Sequence, residues 1–102
     1  MAKIVVLFNL KEGASIAGYE SWAKATDLPT VNNLNSIDRF EVLRSNALLG
    51  SDQTPPYQYI EILDVNDFDV FGQEVSTETM QRVAGEFQAF AESPMFIVTE
   101  TL

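Results

Sequence analysis

The side chains available for chemistry in this chain are narrowly limited, because it contains no His and no Cys. Acid-base work must therefore come from carboxylates, assisted by Tyr, Asn, Gln or Arg. Asp27 is the first candidate. It follows an amphipathic segment and precedes Leu28 and Pro29, where the helix dipole disfavours a carboxylate and capping gains nothing. We expect Asp27 to be a general acid or base whose pKa an apolar cleft raises, the alternative being a solvated loop acid.

A second group of polar side chains lies on the predicted strand 57–65. Tyr59 and Glu61 share one face of that strand with Tyr57, within reach of Asn9 on the neighbouring strand. This arrangement predicts a proton relay, with Tyr59 catalytic and Asn9 substrate-binding. The alternative is a polar network across a dimer interface, in which Arg39 or Arg44 pairs with Glu61 or Glu41.

Three further residues are predicted to bind substrate. Gln58 faces the helices in this register and could bind a carbonyl or N–H group, although a one-residue shift would exchange its role with that of Tyr59. Trp22 has an indole N–H that needs a partner when buried. Phe87 belongs to an apolar helical stripe, which is more typical of a core than of a ligand pocket but could line one.

Composition excludes several classes of function. Without thiolate or imidazole ligands we expect no transition metal, and the acids at 64, 67 and 69 lack the calcium-loop spacing. No glycine-rich phosphate loop or dinucleotide motif is present, so we expect no cofactor. A net charge of −9 with six scattered basic residues argues against nucleic acid. No apolar run approaches the ~20 residues of a membrane span, and Met1 to Leu10 is typical of a strand, not a signal peptide, which predicts a cytoplasmic protein.

The order of predicted elements indicates one α+β domain over residues 1–102. Ser15 and Pro29 bound the first helix, with one further turn at 30–34, and Pro94 ends the last. The remaining elements are strands at 3–10, 37–49, 57–65 and 95–101, a short helix capped by Asn66 or Asp67, and a longer one capped by Ser76 or Thr77 and running to about Glu92. This β-α-β-β-α-β order predicts a ferredoxin-like fold, an antiparallel four-stranded sheet with helices on one face.

The two faces of that sheet are both apolar. We expect one face to meet the helices and the other to need a partner, because it is too apolar for water. The predicted helix-facing residues are Ile4, Val6, Phe8, Phe40, Val42, Ile60, Ile62, Phe96 and Val98. The predicted outer residues are Val5, Leu7, Asn9, Arg39, Glu41, Leu43, Tyr57, Tyr59, Glu61, Leu63 and Ile97. Pairing two outer faces predicts a homodimer, a dimeric α+β barrel.

Four segments carry a resemblance to a known family. The opening IVVLFNL, the segment YESWAKATDLPTV, the run PPYQYIEILDVND and the ending FxxFAESPxFIVTE resemble the REDY-like (HapK) family over nearly the whole chain. The resemblance implies a dimeric α+β barrel fold and a role in secondary metabolism, in the antibiotic biosynthesis of prodigiosin-type pigments and related alkaloids. It does not by itself assign catalytic residues.

Taken together, these features predict a small cofactor-free biosynthetic enzyme. It would bind an aromatic small molecule, a pyrrole or indole-like intermediate, and assist condensation, cyclisation or hydration by acid-base catalysis. Two alternatives stay open at this point: a non-catalytic carrier or partner protein of the same pathway, and a cofactor-independent monooxygenase.

Overall fold

A computed structural model describes residues 2–102, so that of the predicted domain 1–102 only Met1 lies outside the described residues. The chain forms four strands, four α-helices and one π-helical turn. In order they are β1 (Ala2–Leu10), α1 (Ile16–Trp22), the π turn (Ala23–Asp27), α2 (Leu28–Asn32), β2 (Ile37–Arg44), β3 (Tyr59–Val65), α3 (Phe68–Val75), α4 (Glu78–Phe90) and β4 (Ala91–Glu100).

The strands form one antiparallel sheet in the order β2-β3-β1-β4. The central strands are β1 and β3, in a register that places Phe8 opposite Tyr59 and Val6 opposite Glu61. The helices cover one face of this sheet. The α+β, ferredoxin-like prediction is confirmed.

An aromatic cluster holds the helices against the sheet. The Phe8 ring on β1 meets Tyr19 of α1 and Phe87 of α4 edge-on, with ring centroids 5.7 and 5.0 Å apart. It also stacks on Tyr59 of β3 at 5.5 Å. Because such pairs add to the stabilisation that burial provides, this cluster fixes where α1 and α4 lie over the sheet.

The first helical segment does not end at Pro29, and the prediction that it does is wrong. The backbone N–H of Leu28 donates to the carbonyl of Ala23, a five-residue step that defines the π turn. The helical path continues directly into α2, where Pro29 occupies the first turn. There a proline needs no N–H partner within the helix, so it is tolerated.

The facing predicted for β3 is also wrong, by one residue. Tyr59, Glu61 and Leu63 face the helices, whereas Ile60 and Ile62 face outward. Both sets contain apolar side chains, so alternation alone favoured burying the two isoleucines. The structure buries the carboxylate of Glu61 instead, and this reverses every side chain of the strand.

Strand boundaries differ from prediction by two or more residues at three places. β2 ends at Arg44, before the predicted 49, and β3 begins at Tyr59 instead of 57. β4 begins at Ala91 and includes Pro94. The register of β1 against β4 shifts between Leu7 and Asn9, and Ser93 adopts a positive φ of 45° there. Pro94 thus lies on an edge strand beside an irregularity, where the lost ladder hydrogen bond is tolerated.

The outer face of the sheet is largely apolar, as predicted for every strand except β3. Seven side chains point away from the helices and are partly or well exposed: Val5, Leu7, Leu43, Ile60, Ile62, Met95 and Ile97. Arg39 and Glu41 form an ion pair of 3.2 Å on this face. Among residues 2–102, no helix has the length and apolar character needed to cross a membrane.

Candidate active site

A cavity of about 340 Å³ lies between the helix-facing side of the sheet and the helices. Its size is at the lower end of the range for small-molecule sites. Its wall is apolar except for Asp27, Glu61 and Gln88. The apolar lining comes from Ile4, Val31, Phe40, Leu63, Phe71, Val75, Met80, Val83, Ala84, Phe87, Phe96 and Val98.

The cavity opens between α4 and the edge strand β4. Phe96 and Val98 line it yet are 58% and 66% exposed, and Ala84 and Gln88 on α4 are exposed as well. A flat apolar ligand entering here would cover these side chains and reach the two carboxyl groups at the inner wall. The opening thus provides access without exposing the carboxyl groups to bulk water.

The π turn places Asp27 in this cavity. A π turn widens the helix by one residue and is frequent at functional sites, because it redirects the side chains that follow. Asp27 is only 5% exposed and makes no capping hydrogen bond to α2. Burial raises the pKa of its carboxyl to about 7. The predicted apolar cleft is therefore present, and the alternative of a solvated loop acid is wrong.

Glu61 is the second carboxyl of the cavity, on the central strand β3. It is also 5% exposed. Burial first, and then the neighbouring charge of Asp27, raise the pKa of Glu61 to about 8, while the Tyr19 hydroxyl lowers it. Its Oε2 atom has no hydrogen-bond partner among the described residues. A buried acceptor without a partner is costly, which indicates that a ligand or solvent completes it.

Tyr19 adds a hydroxyl group next to the carboxyl pair. The side chain is fully buried and its hydroxyl oxygen has no hydrogen-bond partner of normal geometry in residues 2–102. Burial, followed by the charges of Glu61 and Asp27, raises the pKa of Tyr19 above its usual range. The phenol therefore stays protonated and is available as a donor.

At neutral pH the carboxyl pair retains at least one proton, because both pKa values are raised to neutrality or above. The lining residues include no Lys or Arg that would compensate a negative charge. The site is thus a carboxyl pair in a largely apolar cavity, able to donate one proton and accept another.

Of the six residues predicted to be catalytic or substrate-binding, Asp27 and Phe87 line the cavity. Trp22 lies outside it. Its indole N–H donates to Glu86 Oε1 on α4 at 2.9 Å, and its ring packs beside Tyr19 and Phe90. The partner expected for the indole N–H is therefore found, on a neighbouring helix. Substrate binding by Trp22 stays a prediction.

Tyr59 is placed away from Asp27, in a different network. Its hydroxyl donates to Glu20 Oε2 at 2.6 Å, and Arg44 Nε donates to the same oxygen at 2.8 Å. Arg44 therefore pairs with Glu20, not with Glu61 as one alternative supposed. The catalytic role of Tyr59 stays a prediction that this geometry does not favour.

The side chains of Asn9 and Gln58 form hydrogen bonds to backbone groups at the end of the sheet. Asn9 Nδ2 donates to the carbonyl of Pro56, and its Oδ1 accepts from the N–H of Gln58 at 2.9 Å. Gln58 Oε1 accepts from the N–H of Leu10 at 2.6 Å. Both side chains hold the 45–58 loop against β1 and do not line the cavity, so their substrate-binding role stays a prediction.

One feature of the sequence indicates that Glu61 is unusual, but the incorrect facing predicted for β3 conceals its meaning. An acid flanked by Ile60 and Ile62 in a central strand is unusual, because carboxylates are rarely buried without a partner. Tyr19 belongs to the apolar spacing of the first helix, and nothing in that spacing indicates a hydroxyl beside the acids.

Among residues 2–102 there is no cluster of three or more potential metal ligands.

The sequence comparison identifies the family. The family model described as REDY-like protein HapK matches residues 2–102. The chain belongs to this REDY-like HapK family. The resemblance inferred from the four sequence segments is thereby confirmed. No protein with a curated description matched the chain in sequence.

Several solved structures are similar to this family member. The crystal structure of HapK from Hahella chejuensis has a TM-score of 0.81 and 26% identity, covering 100% of this chain and 93% of that one. At3g17210 from Arabidopsis thaliana has a TM-score of 0.80 and 17% identity, covering 100% and 96%. SnoaB from Streptomyces nogalater, a cofactor-independent oxygenase, has a TM-score of 0.76 and 17% identity, covering 99% and 92%. The last two show a shared fold.

Proposed function

We propose that this member of the REDY-like HapK family is a small cofactor-free biosynthetic enzyme. Its substrate is a flat aromatic intermediate of the pyrrole or indole type, from a prodigiosin-type or related alkaloid pathway, and it assists condensation, cyclisation or hydration. The observation that carries the proposal is the pair of buried carboxyl groups, Asp27 and Glu61, on the wall of an otherwise apolar cavity.

The carboxyl pair provides both proton transfers that such reactions need. Asp27, with the lower pKa of the two, accepts a proton from the substrate carbon or nitrogen that becomes the nucleophile. Glu61 donates its proton to the carbonyl or imine group that is attacked. The pair then holds as many protons as before, with the roles exchanged. Positioned acid-base groups of matched pKa contribute about 10²–10⁴-fold to rate.

The apolar wall supports this chemistry in two ways. Phe40, Phe71 and Phe87 are aromatic surfaces on which a flat ring packs. Exclusion of water by a ligand at the opening strengthens the interactions of the two carboxyl groups with the reacting atoms. The Tyr19 hydroxyl keeps its proton and interacts with the Glu61 carboxyl, so it would serve as a donor when Glu61 is ionised.

A second candidate is a cofactor-independent monooxygenase. Its supporting observation is the similarity in fold to SnoaB, whose description is a cofactor-independent oxygenase. In that reaction the buried base would deprotonate an electron-rich aromatic substrate, and the resulting carbanion would reduce dioxygen. A non-catalytic carrier would use the same cavity without turnover.

One experiment separates these functions. The protein is incubated with candidate bipyrrole and indole intermediates, with and without dioxygen, and substrate and product are followed by mass. A product formed equally in both atmospheres supports acid-base catalysis, and one that requires dioxygen supports the monooxygenase. Saturable binding without any product supports a carrier. In this experiment Asp27→Asn tests the carboxyl pair. Its control is Glu92→Gln, which changes an exposed acid outside the cavity.

We also propose that the protein is a homodimer formed by pairing the outer faces of two sheets. The support is the apolar set Val5, Leu7, Ile60, Ile62 and Ile97, together with similar solved structures described as dimeric. Light scattering tests it. The protein should have twice the protomer mass, and Ile62→Asp should reduce that mass to one protomer, while a monomeric parent protein would contradict the proposal.

A further inference from the structure

One hydrogen-bond acceptor of the cavity has no donor of normal geometry among the described residues. Glu61 Oε2 is buried and has no partner, although the carboxyl lies on the cavity wall. Asp27 lies beside it, close enough for the two charges to interact. Buried polar atoms of folded proteins are almost always partnered. A molecule that brings hydrogen-bond donors into the cavity would supply the partner that Glu61 Oε2 lacks.

The two carboxyl groups of the cavity also have no positively charged partner. The carboxyl pair consists of Asp27 on the π turn and Glu61 on β3, and the ionisable group that faces it is Tyr19 on α1. No cation contacts any of these three residues. The lining side chains from β1, β2, α2, α3, α4 and β4 are not ionisable. Arg44, which lines a neighbouring small pocket with Tyr19, is paired with Glu20.

We propose that the cavity selects flat organic monocations with at least two N–H donors, which bind to Asp27 and Glu61 as an ion pair with two hydrogen bonds. This inference rests on the proposed function, since it takes the same cavity as the substrate site, and it defines the class of substrate. Amidinium groups and protonated nitrogen heteroaromatics have the required shape and charge. The ligand replaces the missing counter-charge, and its flat face packs on the aromatic wall.

Two alternatives are less favourable on physical grounds. A neutral isostere would supply donors but leave the charge of an ionised carboxyl uncompensated in an apolar cavity, which costs more than burying a paired charge. An anion would bring like charges together, and would require both acids to be protonated. The proposal therefore predicts an order of affinity that depends on charge at nearly constant shape.

Three probes of matched shape test this order: benzamidine as the cation, benzamide as the neutral isostere and benzoate as the anion. Dissociation constants are measured on the full chain by NMR titration, up to millimolar ligand, from about pH 6 to about pH 9, a range over which the charges of benzamidine and benzoate do not change. We expect benzamidine to bind at least ~10-fold more tightly than benzamide at pH 8, because charge-assisted bonds to a desolvated carboxylate are the stronger ones.

The affinities should also depend on pH with opposite signs. Binding of the cation releases a proton from the carboxyl pair, so its affinity should rise by up to ~10-fold for each pH unit until the pair is ionised. The affinity of benzoate should fall over the same range. Equal affinities for benzamidine and benzamide at every pH, or no binding of benzamidine at millimolar concentration, would overturn the proposal.

Two variants locate the effect. The double variant Asp27→Asn/Glu61→Gln keeps the size of both side chains but removes both ionisable carboxyl groups, and we expect it to reduce the preference for benzamidine at pH 8 to less than ~3-fold. The control Glu92→Gln should retain the full preference. If the double variant also retains it, the cation does not bind at this pair and the inference is wrong.

The outcome is independent of turnover. If the probes show the predicted order but no candidate intermediate is converted, the enzyme proposal fails and the cation-selective cavity stands. If conversion is observed while the probes show no charge preference, the cation-selective cavity is refuted and the enzyme proposal stands.

Discussion

Replacement of Glu61 by Gln should stabilise the protein at neutral and alkaline pH. The pKa of the carboxyl is about 8 in the folded protein and close to its ordinary value of 4.5 in the unfolded chain. Between those values the folded protein binds more protons than the unfolded chain. The free energy of unfolding therefore falls as pH rises from about 4.5 to about 8. The stabilisation linked to protonation of Glu61 is fully present only below that window.

The size of this effect follows from the same linkage. Each pH unit within the window removes up to about 1.4 kcal/mol for one such group, so about 2–3 kcal/mol is lost between pH 5 and pH 7. Asp27 contributes a second loss of similar slope up to about pH 7, the value to which burial raises its pKa. Glu61→Gln should remove the first loss and leave the second.

Urea unfolding of both proteins at pH 5, 6, 7 and 8 measures the effect, at one protomer concentration because association changes apparent stability. We expect the two proteins to have similar free energies of unfolding at pH 5 and the variant to be more stable by about 2–3 kcal/mol at pH 7. Glu92→Gln should run parallel to the parent protein. Parallel curves for Glu61→Gln as well would refute the burial of this carboxyl and the site built on it.

Three further outcomes are expected. Asp27→Asn should reduce turnover at least ~100-fold, measured as initial rate at saturating substrate, and an unchanged rate would remove Asp27 from the mechanism. Tyr59→Phe should lose about 1–2 kcal/mol in urea unfolding with its hydrogen bond to Glu20, while turnover changes less than ~5-fold; a larger loss of rate would restore it as catalytic. Thr77→Ala, which removes the side chain that accepts from the N–H of Met80 at the start of α4, should cost about 1 kcal/mol in the same assay, whereas the exposed Thr79→Ala should cost little.

Much of the fold could be predicted from local sequence. Ser15, Asp67 and Thr77 each accept a backbone N–H at the start of a helix, at positions where capping chemistry predicted them. The β-branched opening strand lies at the centre of the sheet, as its composition indicated. Local rules worked here because each of these features depends on neighbours within a few residues.

The candidate site was only partly predictable. Asp27 was identified because its position gave it no local stabilisation, and the structure places it in the cavity. Glu61 was assigned to the wrong face because the phase of β3 is set by pairing with β1 and β2, over a sequence distance that alternation does not see. The partners predicted for Tyr59 and Asn9 depended on that phase, and the structure gives these side chains other partners.

The sequence by itself determined the order of the elements, the ferredoxin-like α+β class and the family, because periodicity, capping residues and extended sequence similarity are carried by the chain. It also restricted the chemistry to carboxyl groups, since His and Cys are absent. Tertiary structure alone decided the phase of β3, the continuation of the helical path from the π turn through Pro29, and the meeting of Asp27, Glu61 and Tyr19. Burial raises the pKa values of all three groups, and neighbouring charges raise those of Glu61 and Tyr19 further. Only the packing of α1 and the π turn over β3 creates that burial.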